Sequence, residues 1–358
     1  SRAGDDLAAL NVRVGKISAA LSPITTVIVN FAIVVIVWMG ANYADAGIVA
    51  QGDIIALVNY MTQTLLALIV LANLIVIFTR AIASAKRVGE VLSLQDNMPQ
   101  PAHSAAKTPG APRISFEHVT FTYPGGGDPA LEELSFSLAA GETLGVIGGT
   151  GCGKTTLVRL LCREYDATCG AVKVDGVDVR DYTLADLHRE IGIVPQAARL
   201  FTGTVRSNLR LGDENASDEQ LWHALRIAQG EAFVREKPQG LDTPVEEGGK
   251  NLSGGQKQRL TIARAVVTDP AILILDDAAS ALDYATDAAL RRSLREEAAG
   301  RTVVMVSQRA ASIRHADKIL VLDDGRAVGL GTHEALLETC EVYREICRSQ
   351  GVDGEVPA

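Results

Sequence analysis

The chain has 358 residues and a mass of 37.9 kDa, too long for one average domain and suited to two or three. Hydrophobic residues make up 47% and charged residues 22%, and the mean hydropathy is +0.15, which excludes a disordered chain and is high for a purely soluble enzyme. A net charge of −9 disfavours broad nucleic-acid binding, although a polyphosphate can still bind locally. The five cysteines form no C-x-x-C pair and no Cys/His ligand spacing, so they are read as reduced thiols rather than a disulfide framework or a zinc site. The chain begins at Ser1 and shows no signal-peptide pattern; it is read as a fragment whose N-terminal part is absent.

The first ninety residues are the most apolar. Ile17–Ala44 runs for 28 residues without a formal charge, and Ile54–Thr79 for 26. A helix rises about 1.5 Å per residue, so roughly 20 apolar residues cross a membrane core of about 30 Å. Spans are therefore expected over about 17–42 and 54–79 within a segment 1–92. Arg2, Arg13 and Lys16 precede the first span, and Arg80, Lys86 and Arg87 follow the second. The loop Asn42–Asp53 carries aspartates and no Lys or Arg, which puts both outer flanks in the cytosol by the positive-inside rule. Trp38 and Tyr43 fall where an aromatic belt would place them. Asn59 and Gln63, four apart, share a helix face; with Asn30 and Asn73 they either line a substrate path or bond between helices, and no charged residue decides which.

Gln95–Pro112 holds four prolines among small residues and reads as a linker, taken as 93–112. From Arg113 short apolar runs alternate with longer amphipathic stretches. Thr143–Ile147, Gly192–Pro195, Ala271–Leu275 and Thr302–Val306 suit buried parallel strands. The fold class expected is an α-helical transmembrane segment followed by an α/β P-loop NTPase domain.

Gly148-Gly149-Thr150-Gly151-Cys152-Gly153-Lys154-Thr155 fits G-x-x-x-x-G-K-[ST] and stands between the Thr143–Ile147 strand and a helix-like Thr156–Arg163. The glycines let backbone N–H groups curl around phosphates. Lys154 reaches the β- and γ-phosphates, the Thr155 hydroxyl holds Mg²⁺, and Thr156 completes the nucleotide-binding set. Cys152 is either a reactive thiol or a small loop filler, and the second reading is preferred. Ala271–Asp276 is a buried strand ending in a carboxylate, a Walker B pattern that puts Asp276 on Mg²⁺ through water. Leu252-Ser253-Gly254-Gly255-Gln256 opens a helix whose N–H groups and dipole make a second anion site.

This order of P-loop, Gln196, signature Leu252–Gln256, Walker B and switch strand resembles the nucleotide-binding domain of an ABC transporter, over 113–350 with 351–358 as a tail. The membrane part resembles the last two helices of an exporter half-transporter, and Ala83-Ser84-Ala85-Lys86-Arg87 looks like the exit from its sixth helix. The resemblance implies ATP and Mg²⁺ as cofactors. It implies that Tyr123 stacks on adenine, that Gln196 touches Mg²⁺ and senses the membrane domain, and that Leu200–Val205 is an exporter feature. It makes Glu247 an X-loop acid and Ala279-Ser280-Ala281-Leu282-Asp283 a D-loop, with Asp283 facing nucleotide. In the family two domains sandwich two ATPs, each between one partner's P-loop and the other's signature. The resemblance thus implies a second ABC half-transporter as partner and no nucleic acid. It also implies a multi-pass protein of the plasma (inner) membrane with its nucleotide domain in the cytoplasm. The cargo expected across the lipid bilayer is a small hydrophobic or amphipathic compound, multidrug-like; a lipid or a peptide is the alternative.

Two residues depart from the family pattern. Asp277 stands where the family's hydrolytic base is Glu, one methylene shorter, and a base must reach the attacking water. Gln308 stands where the switch is His; an amide can bond the γ-phosphate but cannot carry charge. His315, in an apparent surface segment, does not obviously replace it. With Gln196, these two make up the expected catalytic set. The two departures beside an intact signature point to the degenerate-site half of a heterodimer, slow at its own site, whose partner carries the Glu and the His. The alternatives are a regulatory ATP-binding subunit with little hydrolysis, or drift with hydrolysis retained by Asp277.

Overall fold

The computed structural model describes residues 2–93, 98–278, 281–297 and 300–351, in two compact units, Ser1–Asp96 and Asn97–Ala358. The first unit is a helical hairpin of α1 (Arg2–Asp45) and α2 (Gln51–Leu92). Both helices outrun the expected spans because the helical pattern continues through their charged flanks. The stretches apolar and long enough to cross a membrane are Pro23–Asp45 and Gln51–Leu92. Asp53 Oδ2 accepts the Ala50 N–H at 3.3 Å, which puts an acid at the positive end of α2. Gly40 permits close approach: a Cβ there would lie 3.0 Å from the Ile54 side chain. The hydroxyls of Thr62, Thr64 and Thr79 bond carbonyls four residues back at 2.8 Å, so none needs water. Phe31, Trp38, Leu66 and Phe78 point outward, as do Asn59 and Gln63.

The second unit is built on two sheets. β1 (Ile114–Phe121), β2 (Leu131–Leu138), β4 (Cys169–Val174) and β5 (Val177–Asp178) form an antiparallel sheet in the order β2-β1-β4-β5. The other sheet holds β3 (Thr143–Gly148), β6 (Ile191–Val194), β9 (Ile272–Asp276), β10 (Thr302–Val306), β11 (Lys318–Asp323) and β12 (Arg326–Gly331). Its order is β12-β11-β3-β10-β9-β6, parallel except for β12. Its inner strands are buried nearly throughout, which is why they read as continuous apolar runs rather than alternating ones. A short pair, β7 (Gly203–Thr204) with β8 (Pro244–Val245), lies apart from both sheets.

Helices cover this framework in three groups. α3 (Lys154–Leu161) and α4 (Leu184–Glu190) belong with the first sheet, around a core containing Phe116, Leu157 and Leu187. α5 (Val205–Leu209), α6 (Asp218–Ile227), α7 (Glu231–Arg235) and α8 (Gly254–Val267) form a helical layer around Leu209, Leu225 and Leu260, and α9 (Tyr284–Glu297) joins it through Leu290 and Leu294. α10 (Ala310–Ile313), α11 (His333–Thr339) and α12 (Glu341–Ser349) enclose a third core with Ile319, Tyr343 and Cys347.

Residues 98–112 contain neither helix nor strand, as their prolines require, but they are tied down. Arg163 Nη2 donates to the Pro99 carbonyl at 2.7 Å, Ser104 Oγ to Asp186 at 2.5 Å, and the Thr108 N–H to the Asp175 carbonyl at 2.9 Å. The remainder of the expected linker, 94–97, and the tail beyond 351 lie outside the described residues, as do Ala279 and Ser280 of the expected D-loop.

Candidate nucleotide site

Four expected site elements lie at the carboxyl ends of four adjacent parallel strands. β3 runs into the P-loop, β10 into the switch, β9 ends at Asp276, and β6 ends two residues before Gln196. Register ties them level: Val306 pairs with both Val146 and Asp276, and Val194 with Leu275. Neighbouring strands are about 4.8 Å apart, so residues remote in sequence share one crevice, the place where open α/β sheets bind ligands.

The P-loop is shaped by glycine. Gly148, Gly151 and Gly153 have φ of +156°, +86° and +102°. A Cβ on Gly148 would lie 2.0 Å from the Leu322 carbonyl oxygen, and one on Gly153 2.6 Å from Leu131. Gly153 in the left-handed region starts α3 at Lys154, two residues earlier than the apolar pattern predicts, and α3 ends at Leu161 rather than Arg163. Arg163 itself has φ +52°, which the helix cannot continue. The Lys154 ammonium folds over its own loop, donating to the carbonyls of Gly148 at 2.8 Å and Gly149 at 2.6 Å. Cys152 is buried beneath it, with Sγ 3.5 Å from Nζ, which fits the loop-filler reading. Gly149, Thr150, Gly151 and Thr155 are exposed, and Thr156 is buried.

Tyr123 follows β1 and its ring packs edge-on against Phe121 and Tyr165. Its hydroxyl lies 3.1 Å from Thr156 Oγ1 and accepts from Arg159 Nη1 at 3.4 Å. The tyrosine is thereby fixed to the helix that opens at the P-loop. This tie to α3 explains why a half-buried ring sits at the end of a strand.

Asp276 and Asp277 form the acidic side of the crevice. Burial pushes the Asp276 carboxyl above the usual carboxylate range, and the neighbouring Asp277 charge adds to this against Lys154 and Arg159. Burial also raises Asp277, opposed by Arg309, Lys154, the Gln308 N–H and Gln196. Asp277 has φ +49°, a conformation that Asp tolerates better than most residues, and its N–H closes onto the Val306 carbonyl at 2.9 Å. Gln196 Nε2 reaches Asp277 Oδ2 at 3.5 Å, so these two catalytic expectations meet. Gln308 is exposed two residues beyond β10. His315 is exposed on the surface, as expected.

Thr155, Asp276 and Gln196 offer a hydroxyl, a carboxylate and an amide, all hard oxygen donors. Among the described residues no group of three or more His, Cys, Asp or Glu forms a cage for a metal. A few hard oxygen donors of this kind fit Mg²⁺, which takes substrate phosphates and water for the rest of its shell.

The signature stands in the helical layer. Ser253 caps α8: its Oγ accepts the Gln256 N–H at 3.3 Å while Gln256 Oε1 accepts the Ser253 N–H at 3.0 Å. Ser253 and Gly254 are exposed at the positive end of a fourteen-residue helix. Gly255 is next to the D-loop, since a Cβ there would meet the Ala281 carbonyl at 3.4 Å. Asp283 accepts from the Thr286 N–H at 2.9 Å and hydroxyl at 2.8 Å, bonds that hold its carboxyl below the usual range. Its side chain therefore acts locally, at the start of α9. Glu247 is exposed in a single 3₁₀ turn before the signature.

Two participants were not evident in the sequence. Arg309 lies over the Tyr284 ring, 5.4 Å from its centre, and its charge bears on Asp277. Gln350 bonds the switch backbone from 40 to 42 residues downstream. Arg309 adjoins Gln308 in the switch segment, and Gln350 belongs to no contiguous motif.

Residues 131–280 match the family model described as ABC transporter. An uncharacterized ABC transporter ATP-binding protein of Mycobacterium tuberculosis is 42% identical over 96% of this chain and 59% of its own length. A probable multidrug resistance ABC transporter ATP-binding/permease protein of Bacillus subtilis, YheI, is 36% identical over 94% of this chain and 57% of its own. A solved bacterial Atm1-family ABC exporter with ATP bound superposes with a TM-score of 0.71 at 34% identity, over 85% of this chain and 53% of that one. The chain thus spans under three fifths of the length of these relatives.

Proposed function

The chain belongs to the ABC transporter family as an exporter-type half-transporter, and from that premise we propose that it is the degenerate-site half of a heterodimeric exporter. In this reading ATP binds at Tyr123, the P-loop and Mg²⁺. Two nucleotide domains close around it, and closure turns the membrane helices outward to release a hydrophobic or amphipathic compound. YheI carries a multidrug name and an NdvA protein of Rhodopseudomonas palustris a β-(1→2)glucan export name, so cargo of either kind has precedent among the relatives.

The observation that carries the reading is the pairing of Asp277 with Gln196 in the crevice, beside the Gln308 backbone. The position of the base is occupied by a shorter carboxylate, and that of the charged switch by a neutral amide. A reacting group misplaced by about 1 Å costs on the order of 10²-fold in rate. The Ser253 cap, by contrast, keeps the N–H groups of α8 ordered and exposed, ready to face a γ-phosphate held by another chain. Lys154 supplies the cation for this chain's own phosphate, and Asp276 with Thr155 holds its Mg²⁺. Hydrolysis then proceeds mainly on the partner, while ATP on this chain is retained and keeps the domains in contact.

The test compares ATP turnover and ATP retention by the lipid-reconstituted native chain and by an Asp277→Glu, Gln308→His double variant. Retention without turnover in the native chain, with turnover restored in the variant, is the expected result. Equal turnover by both makes Asp277 a working base and a homodimeric exporter the better account.

A further inference from the structure

The switch segment is held by a residue 40 to 42 positions further along the chain. Gln350 is the C-cap of α12. Its Oε1 accepts the Ala310 N–H at 2.8 Å, and its Nε2 donates to the Gln308 carbonyl at 2.7 Å. Ala310 is fully buried and is the first residue of α10, so its N–H has no acceptor within the helix. Arg309 precedes it without a side-chain cap bond. Gln350 supplies the missing cap from elsewhere in the same chain, and with its other arm fixes the carbonyl of the switch residue itself. The Gln308 N–H meanwhile donates to the Asp277 carboxyl. The main chain of residue 308 is therefore bonded on one side to the residue in the position of the base and on the other to α12. The mount is rigid, because Tyr343 and Cys347 root α12 with no exposed surface, and the Tyr343 hydroxyl bonds His333 Nδ1 at 2.8 Å.

We propose that Gln350 is a positioning residue for ATP hydrolysis: its carboxamide sets the backbone of Gln308–Ala310 and hence where the side chain at 308 meets the γ-phosphate. A carboxamide suits this role because it offers one acceptor and one donor in a fixed plane, matching an N–H and a C=O two residues apart. The inference rests on the reading of residue 308 as the switch.

The experiment uses the lipid-reconstituted chain in two backgrounds, native and Asp277→Glu, Gln308→His, each with Gln350→Ala and Gln350→Glu. In the Asp277→Glu, Gln308→His background Gln350→Ala is expected to lower kcat for ATP about tenfold with KM unchanged, the mark of a misplaced reacting group rather than weakened binding. It is also expected to speed amide exchange in the peptide spanning 305–312 while the core strands stay protected. In Gln350→Glu the introduced carboxylate faces a carbonyl and lacks the donor, so kcat falls as far at pH 8. Toward pH 5.5 protonation returns a donor and part of the rate. Unchanged exchange at 305–312, an unchanged kcat, or a loss of kcat that only follows a lower melting temperature and has no pH recovery overturns the proposal. Turnover that is equal in the two parent backgrounds overturns the degenerate-half reading alone, and the Gln350 comparison is then read in the native background, where the same drop is expected.

Discussion

The Gln196 amide and the Asp277 carboxylate lie 3.5 Å apart, Nε2 to Oδ2, across 81 residues of sequence. They meet because β6 and β9 are neighbours, and each residue follows the end of its strand. A neutral amide is a weak partner for an anion that burial has already disfavoured. Asp276 and Asp277 both stand above the usual carboxylate range, with burial as the leading cause in each. The folded protein therefore holds protons on these groups more readily than the unfolded chain does. Their ionisation costs stability at neutral pH, and the cost is relieved as pH falls toward the raised values. The expected outcome is that Asp276→Asn and Asp277→Asn each raise the melting temperature at pH 7.5 without nucleotide. That gain should shrink on acidification toward the raised values. Differential scanning fluorimetry across that range checks it, and a lower melting temperature for both variants at pH 7.5 contradicts it.

Tyr123 offers a second test, because its two parts do different jobs. The hydroxyl meets Thr156 and Arg159, and the ring is the surface proposed to receive adenine. Aromatic stacking on a base is worth about 1–3 kcal/mol by alanine substitution, so Tyr123→Ala should weaken ATP binding between about fivefold and 150-fold. Tyr123→Phe keeps the ring and should change affinity only a few-fold. Titration with a fluorescent ATP analogue separates the two. If Phe and Ala weaken binding equally, the hydroxyl rather than the ring carries the site.

Ser253 has a structural duty and an expected functional one. Its capping box with Gln256 is worth about 1 kcal/mol to α8, so Ser253→Ala should destabilise by that amount. Ser253→Asn restores a capping oxygen and should recover the stability. It should not recover ATP hydrolysis by the proposed heterodimer, since the larger amide occupies the space before the exposed N–H groups. Urea melts and steady-state turnover of the assembled pair are the two measurements. Recovery of turnover along with stability by Asn would reduce Ser253 to a helix cap.

Much of the crevice was legible because its motifs are contiguous. Gly148–Thr155 states its own geometry, and the strands ending at Val194, Asp276 and Val306 are apolar runs within a residue of where they were expected. What was not legible depends on long-range closure. Gln350 lies 42 residues from Gln308, and no local pattern marks it as a clasp. Arg309 faces Asp277 only because β10 pairs with β9. Composition gave the absence of helix and strand at 98–112 but not its docking, which is made by residues up to 84 positions away.

Arg163 governs that docking and supports a last prediction. Its side chain is 1% exposed. Nε bonds Asp166 at 3.1 Å, Nη1 the Tyr182 carbonyl at 3.0 Å and Nη2 the Pro99 carbonyl at 2.7 Å. One buried guanidinium thus joins the end of α3, the segment before α4 and the arm at 98–112. Arg163→Met keeps much of the volume but leaves two carbonyls without a donor, at a cost of about 3 kcal/mol. Arg163→Lys keeps the charge yet cannot reach three acceptors with a planar fork, and should lie between. The arm should loosen before the sheets do, so limited proteolysis is expected to cut near Pro99 in Arg163→Met at urea concentrations where β3 and β9 remain protected from exchange. Loss of arm and sheets together would mean that the arm is an integral part of the domain's cooperative unit.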